Sequence, residues 1–245
     1  MEKQRLMNVY VNNLTMMESV NRIHDMIREK QTSYVVEVNV DVVMKMEKDP
    51  YLKKISDEAD LTLVDGQPLV WISKMKGNTP IREKISGSDL VPELLDELSR
   101  ENRSVFILGG LGDTAKKAAK KVKKHYPGMS IAGTYAPPLG FEKDAKEIEK
   151  INHLVAKTHP DLLLACFGCP KQEKWIYENY KKCGAIVSVC AGATVDFLAG
   201  NIKRAPSQCG LEWFYRFLKE PRRLFKRYFI DDMGIVKLVW KYRSL

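Results

Sequence analysis

Asp65 has the setting of a general base. It follows the apolar run Leu61–Val64 and precedes Gly66-Gln67-Pro68, so a strand end would aim its carboxyl beyond the sheet, with Pro68 suited to a first helical turn. Partial burial at such a place lifts a carboxyl toward a pKa useful for taking a proton. The same carboxylate could instead cap the helix behind it. Asn39 and Asp41 close a second apolar run, where they could hydrogen-bond a sugar or ribose, or cap a helix starting at Val42. Gln172, in Pro170-Lys171-Gln172-Glu173, carries an amide that both donates and accepts, which suits a polyhydroxylated ligand. Glu173 beside it is acceptable in a first helical turn because the helix dipole favours an acid there. Gly109-Gly110-x-Gly112 lies between an apolar strand and a helix opening at Asp113. Backbone approach without Cβ atoms, next to free N–H groups, suits a diphosphate, although Asp113 would repel one. Gly66, Gln67, Gly109, Gly110 and Glu173 therefore join Asn39, Asp41 and Gln172 as candidate substrate contacts around Asp65.

Other chemistries lack their residues. There is no G-x-S-x-G elbow, no H-E-x-x-H and no Walker A lysine. The four histidines are scattered. Cys166 and Cys169 form a C-x-x-C pair, but no second Cys or His pair completes a zinc site, and packing of small residues at a strand end explains the spacing. Five cysteines in a chain without an apolar leader point to reduced thiols. Asn39-x-Asp41 is half of the Asp-x-Asp pair that holds a divalent metal on a sugar nucleotide. A metal-free site would need cationic side chains to neutralise a departing diphosphate.

These residues need a sheet to bring them together. Strands are expected at Asn8–Val11, Ser33–Val40, Leu61–Val64, Ser104–Leu108, Met129–Gly133, Asp161–Phe167 and Ala185–Cys190. Helices are expected at Thr15–Lys30, Val42–Glu47, Gln67–Lys76, Ser88–Asn102, Asp113–His125, Lys143–Thr158, Lys171–Lys182 and Ala193–Ala199. Short β-branched runs alternating with longer amphipathic ones predict an α/β fold, a mainly parallel sheet covered by helices. In such sheets ligands sit beyond the carboxyl ends of the strands, and the polar and glycine-rich clusters all fall at those ends.

Composition divides the chain near Asn201 into a body, 1–200, and an appendage, 201–245. The appendage holds eleven Lys/Arg against four Asp/Glu, a surplus of seven in a net charge of +9. At about 100° per residue, Phe217, Leu218, Leu224, Phe225, Tyr228 and Phe229 share one helical arc. Arg216, Lys219, Arg222, Arg223, Lys226 and Arg227 fill the opposite arc. Such a helix suits an anionic lipid surface. With no apolar run of spanning length and no signal peptide, a cytoplasmic protein touching the membrane from its inner face is expected.

Taken together, these strand ends and the appendage resemble the WecG/TagA/CpsF family of bacterial glycosyltransferases. The resemblance rests on Val38-Asn39, Val64-Asp65-Gly66, the segment from Gly168 to Trp175, Gly192-x-x-x-Asp196-Phe197, Ala199-Gly200, Arg204-Ala205-Pro206, Gly210-Leu211-Glu212-Trp213-x-Tyr215-Arg216 and Glu220-Pro221-x-Arg223. It implies a Rossmann-like domain of the GT-E type with a helical appendage that docks at the membrane and closes the site. The implied reaction is an inverting transfer of a sugar, N-acetylmannosamine in the best known branch, from a UDP-sugar to a polyprenyl-diphosphate-linked sugar in teichoic acid or surface polysaccharide synthesis. No cofactor and no metal are implied. By this resemblance Asp65 is the base, Asn39 and Gln172 lie near the transferred sugar, and Arg216 and Arg223 reach the diphosphate, with Lys226 and Arg227 beside them. Glu37 stands where the teichoic branch tends to have threonine, and Lys226 where it has a third arginine.

A UDP-glucose or UDP-uronate transferase is the alternative within the class. A nucleotide-dependent reductase would need a fuller glycine fingerprint and a ribose carboxylate. A non-catalytic protein gripping nucleic acid would not need the apolar arc of the appendage. That arc also fits core packing or self-association into a homo-oligomer.

Overall fold

The computed structural model describes residues 2–75, 79–202 and 234–242. Six parallel strands form one sheet in the order β4-β3-β8-β7-β5-β6. They are β3 (Ser33–Val38), β4 (Leu61–Val64), β5 (Ser104–Gly109), β6 (Ser130–Tyr135), β7 (Leu162–Cys166) and β8 (Val187–Cys190). A separate antiparallel ribbon joins β1 (Gln4–Leu6) to β2 (Val9–Val11). The α/β architecture with a mainly parallel sheet is thus the one the alternating runs imply.

Apolar residues on both faces of the strands put helices on both faces of the sheet. Along β7, Leu163 and Ala165 enter one core while Leu162 and Leu164 enter the other. The first core is covered by α2 (Val40–Met46), α3 (Pro50–Asp57), α4 (Gln67–Ser73), α7 (Ala145–Ala156) and α8 (Lys171–Asn179). The second is covered by α1 (Met16–Arg28), α5 (Gly87–Arg100), α6 (Thr114–His125) and α9 (Thr194–Ala199). Neighbouring strands β3, β8, β7 and β5 therefore send their chains alternately to opposite faces. Crevices open between such diverging connections, and that is where a ligand is admitted.

Local chemistry sets the element ends. Thr15 accepts from the Glu18 N–H and Glu18 reaches back to the Thr15 N–H, a capping box that starts α1. Asn39 accepts from the Val42 N–H and stops β3 at Val38, two residues before the expected end. Asp49 caps α3, with Pro50 in its first turn. The strand reading of the sequence omitted β1, and the helix reading omitted α3. The α5 helix starts at Gly87 with Ser86 as its N-cap, so the expected Ser88-Asp89 start is one residue late.

Beyond residue 202 one further helix, Ile235–Lys241, is described. Leu238 enters the first core. Lys241 and the Tyr242 hydroxyl both bond Glu47, at 2.5 Å and 3.1 Å, and the Arg5 guanidinium lies over the Tyr242 ring. This end of the appendage packs on the body. Arg216, Arg223, Lys226, Arg227 and the aromatic-basic arc around them lie outside the described residues. Among the described residues no helix is long and apolar enough to cross a membrane.

Candidate functional site

Two adjoining cavities open at the carboxyl edge of the sheet. The first, of ≈ 260 Å³, is walled by Glu37, Asn39, Asp65, Ser86, Gln172 and Thr194, among others. The second, of ≈ 310 Å³, is walled by Gly110, Pro137, Pro138, Phe141, Phe167 and Asp196, among others. Gly168, Gly192 and Ala193 belong to both walls. A polar cavity therefore abuts a more apolar one across the loops that follow β7 and β8.

Asp65 lines the first cavity. Its backbone N–H donates to Val38 O at 2.8 Å, which stitches the end of β4 to β3. The N-cap of α4 is Gly66, at φ 124°. Gly66 and Gln67 follow Asp65 at the edge of the site, outside the walls of the two cavities. Gly66 supplies the positive φ that turns the chain into α4.

Asn39 does cap α2, through Oδ1 at 3.1 Å from the Val42 N–H. The residue also lines the cavity, with its amide Nδ2 left to donate. Asp41 lines the same cavity and pairs with Lys45 at 2.8 Å. Lys45 also donates to Cys169 O at 3.1 Å and so ties α2 to the loop after β7.

Gln172 lines the first cavity as well. It is only 5% exposed, and its Oε1 accepts from both the Gly168 and Gly192 N–H groups, each at 3.1 Å. Its Nε2 donates to Glu173 Oε1 at 2.9 Å. The amide clamps the two loops shared by the cavities; it positions the site walls rather than offering a full set of hydrogen bonds to a sugar. Glu173 is likewise no surface residue of a first helical turn. It is 1% exposed with Oε2 unpartnered, and burial pushes its carboxyl above the ordinary range despite hydrogen bonds from Gln172 and Cys169.

The glycine-rich turn after β5 splits into two roles. Gly109, at φ 121°, packs so closely on β7 that a Cβ would sit 2.4 Å from Cys166 O, and it lines neither cavity. Close strand packing by itself accounts for a glycine there. Gly110 does line the second cavity. Asp113 takes the N-cap position of α6 without a cap bond and pairs loosely with Lys116 at 3.6 Å.

The C-x-x-C thiols are packing groups. Burial pushes Cys166 up to about 12 and raises Cys169 and Cys190 as well, so these thiols stay protonated and unreactive. Among the described residues no group of three or more His, Cys, Asp or Glu could hold a metal ion.

Sequence reasoning passed over Ser86, Gly87 and Ser88, which form a wall of the first cavity. They precede or open a helix rather than follow a strand, so the strand-end rule does not reach them. Glu37, which the resemblance singled out where threonine is usual, is also a wall residue. The available signal was a charge inside an otherwise apolar strand, which is rare without a purpose.

The sequence model of the glycosyl transferase WecG/TagA/CpsF family matches residues 4–245. One relative, an N-acetylglucosaminyldiphosphoundecaprenol N-acetyl-beta-D-mannosaminyltransferase of Bacillus spizizenii, is 31% identical over 198 residues, 80% of this chain and 74% of the relative. The proteins of the same name in Bacillus subtilis and Staphylococcus aureus are 30% and 26% identical over 228 residues, 91% of this chain and 86% and 87% of theirs. A match across almost the whole chain, on a parallel sheet whose carboxyl edge gathers Asp65, Asn39 and Gln172, has one reading: the chain belongs to the WecG/TagA/CpsF family of glycosyltransferases.

Proposed function

We propose that the protein transfers N-acetylmannosamine, or a related hexose derivative, from a UDP-sugar to polyprenyl-diphosphate-linked N-acetylglucosamine, inverting the anomeric centre. The observation that carries this reading is Asp65 in the wall of a polar cavity at the carboxyl edge of the sheet, in a chain about 30% identical to two mannosaminyltransferases. The Asp65 carboxylate takes the proton of the acceptor hydroxyl. The oxygen attacks the anomeric carbon from the face opposite the diphosphate, and the bond to UDP breaks with its electron pair leaving on the phosphate oxygen. Asn39 Nδ2 is placed to donate to the sugar. The second cavity suits the nucleoside: Pro137, Phe141 and Phe167 offer apolar faces to a base, and Asp196 can accept from ribose.

The leaving diphosphate needs cations in the transition state. Arg216 and Arg223 fill that role in this reading, without a metal ion, and transfer then survives EDTA. The acceptor is a lipid, so the enzyme works as a peripheral protein on the inner membrane face, with the appendage against the lipid.

The test is a donor panel. Purified full-length protein is offered UDP-N-acetylmannosamine, UDP-N-acetylglucosamine, UDP-glucose and a UDP-uronate, with a short-chain lipid-diphosphate N-acetylglucosamine, and products are read by mass. A disaccharide product from the first donor is expected. Consumption of UDP-glucose or the uronate alone would replace the sugar assignment, and no transfer from any donor would end the reading.

A further inference from the structure

Glu37 is a carboxyl in the first cavity for which the chemistry above has no use. It pairs in register with Leu63 on β4, and side chains alternate along strands, so it faces the same side of the sheet as Asp65 two residues on. Its carboxyl rests on the first residue of α5: a Cβ at Gly87 would lie 2.6 Å from Oε2 and 2.8 Å from Oε1. Oε1 is shut off from solvent and has no hydrogen-bond partner. Glu37, Asp65 and Glu173, with Asp41 held 2.8 Å from Lys45, thus put four carboxyls around one small cavity.

Among the described residues the charges acting on Glu37 are Asp65 and Glu173, both negative, opposed by the Gly87 N–H. Asp41 on α2 pairs with Lys45, and Asp89 near the start of α5 lies 3.8 Å from Lys84. The thiols of Cys166 on β7 and Cys190 on β8 are buried and themselves feel the Glu37 charge. Burial first, and the Asp65 charge second, raise the Glu37 carboxyl well above its ordinary range. Neighbouring carboxyls in a poorly solvated site do not ionise together cheaply.

We propose that Glu37 is a positioning residue for Asp65, holding the proton of a two-carboxyl pair so that Asp65 alone carries the charge. This rests on Asp65 being the base. The proton accepted from the sugar hydroxyl goes to Asp65, and the Glu37 proton stays where it is throughout. A cavity with one negative charge fewer admits an anionic sugar diphosphate more readily. Ionising Glu37 would repel that donor.

The stability linkage has a definite sign. A carboxyl raised in the folded state contributes stability that is fully present below its unfolded pKa and is lost as pH rises through its folded pKa. Glu37→Gln cannot ionise and escapes that loss. Thermal unfolding of full-length wild type and Glu37→Gln across pH, without substrate, should show the variant gaining on wild type as pH rises from the ordinary carboxylate range up through the raised Glu37 value. In parallel, the wild-type KM for UDP-N-acetylmannosamine should rise by roughly tenfold over the same interval, while that of Glu37→Gln stays level. Melting curves that run parallel would overturn the protonated state, and parallel KM profiles would overturn its role toward the donor. Glu37→Thr, also uncharged, decides the matter if glutamine disturbs folding. The melting arm needs no sugar, so it still tests the proton if no donor in the panel is consumed.

Discussion

At the scale of single residues, the proposed mechanism gives Asp65 the chemistry of the polar cavity, while Gln172 holds its geometry. Asp65 sits at a strand end where a carboxylate can meet an incoming hydroxyl. General-base assistance is worth about 10²–10⁴-fold, so Asp65→Asn should lower kcat by at least ~100-fold while UDP affinity, measured by calorimetry, stays put. A variant with wild-type turnover would remove Asp65 from the mechanism. Gln172 makes its contribution through three hydrogen bonds to Gly168, Gly192 and Glu173. Its position beside a strand end was readable from the sequence, but its partners were not, because they lie on loops that meet only when β7 and β8 pair. Glu37 shows the reverse. Its chemistry depends on Asp65 and Gly87, neither of them near it in the chain, so the strand pattern alone made it merely odd.

At the scale of elements, the sheet was legible because six apolar runs are separated by helix-length amphipathic stretches, and parallel strands buried on both faces read that way. The ends were less so. Asn39 stops β3 early by capping α2, a competition between strand and cap that only the folded register decides. The three-residue β1 is too short for alternation to declare it, while α3 carried a readable Asp49-Pro50 start that was passed over. The turn after β5 shows how tightly elements constrain one another. Gly109 is held at φ 121° with the Cys166 carbonyl where a side chain would go. Gly109→Ala adds both backbone strain, of about 1–3 kcal/mol, and a clash with backbone that cannot turn aside. A fall in chemical-denaturation stability of at least ~2 kcal/mol is expected, and an unchanged midpoint would show that β5 and β7 can part at that point.

At the scale of the whole molecule, the described end of the appendage, residues 234–242, is tied to the body. Leu238 lies in the first core, and Lys241 and Tyr242 hold Glu47. Cutting the chain after residue 200 would strip that face, and burying one leucine alone is worth about 1.5–3 kcal/mol. Truncation should therefore lower the melting temperature as well as activity, so a dead truncated protein says little about catalysis. Substitution separates the two. Arg216→Ala and Arg223→Ala, tested singly in the full chain, should each lower kcat/KM by at least about tenfold with the melting temperature within a degree or two of wild type. Wild-type kcat/KM in both would leave the departing UDP to other cations.

The strip of backbone at Gly168, Gly192 and Ala193, pinned by one amide oxygen, acts as a bulkhead between two compartments. A nucleobase lodged on one side gains no room from a smaller sugar on the other. Swapping uracil for another base and swapping the hexose should then change donor affinity by independent factors, whose product describes the doubly altered donor.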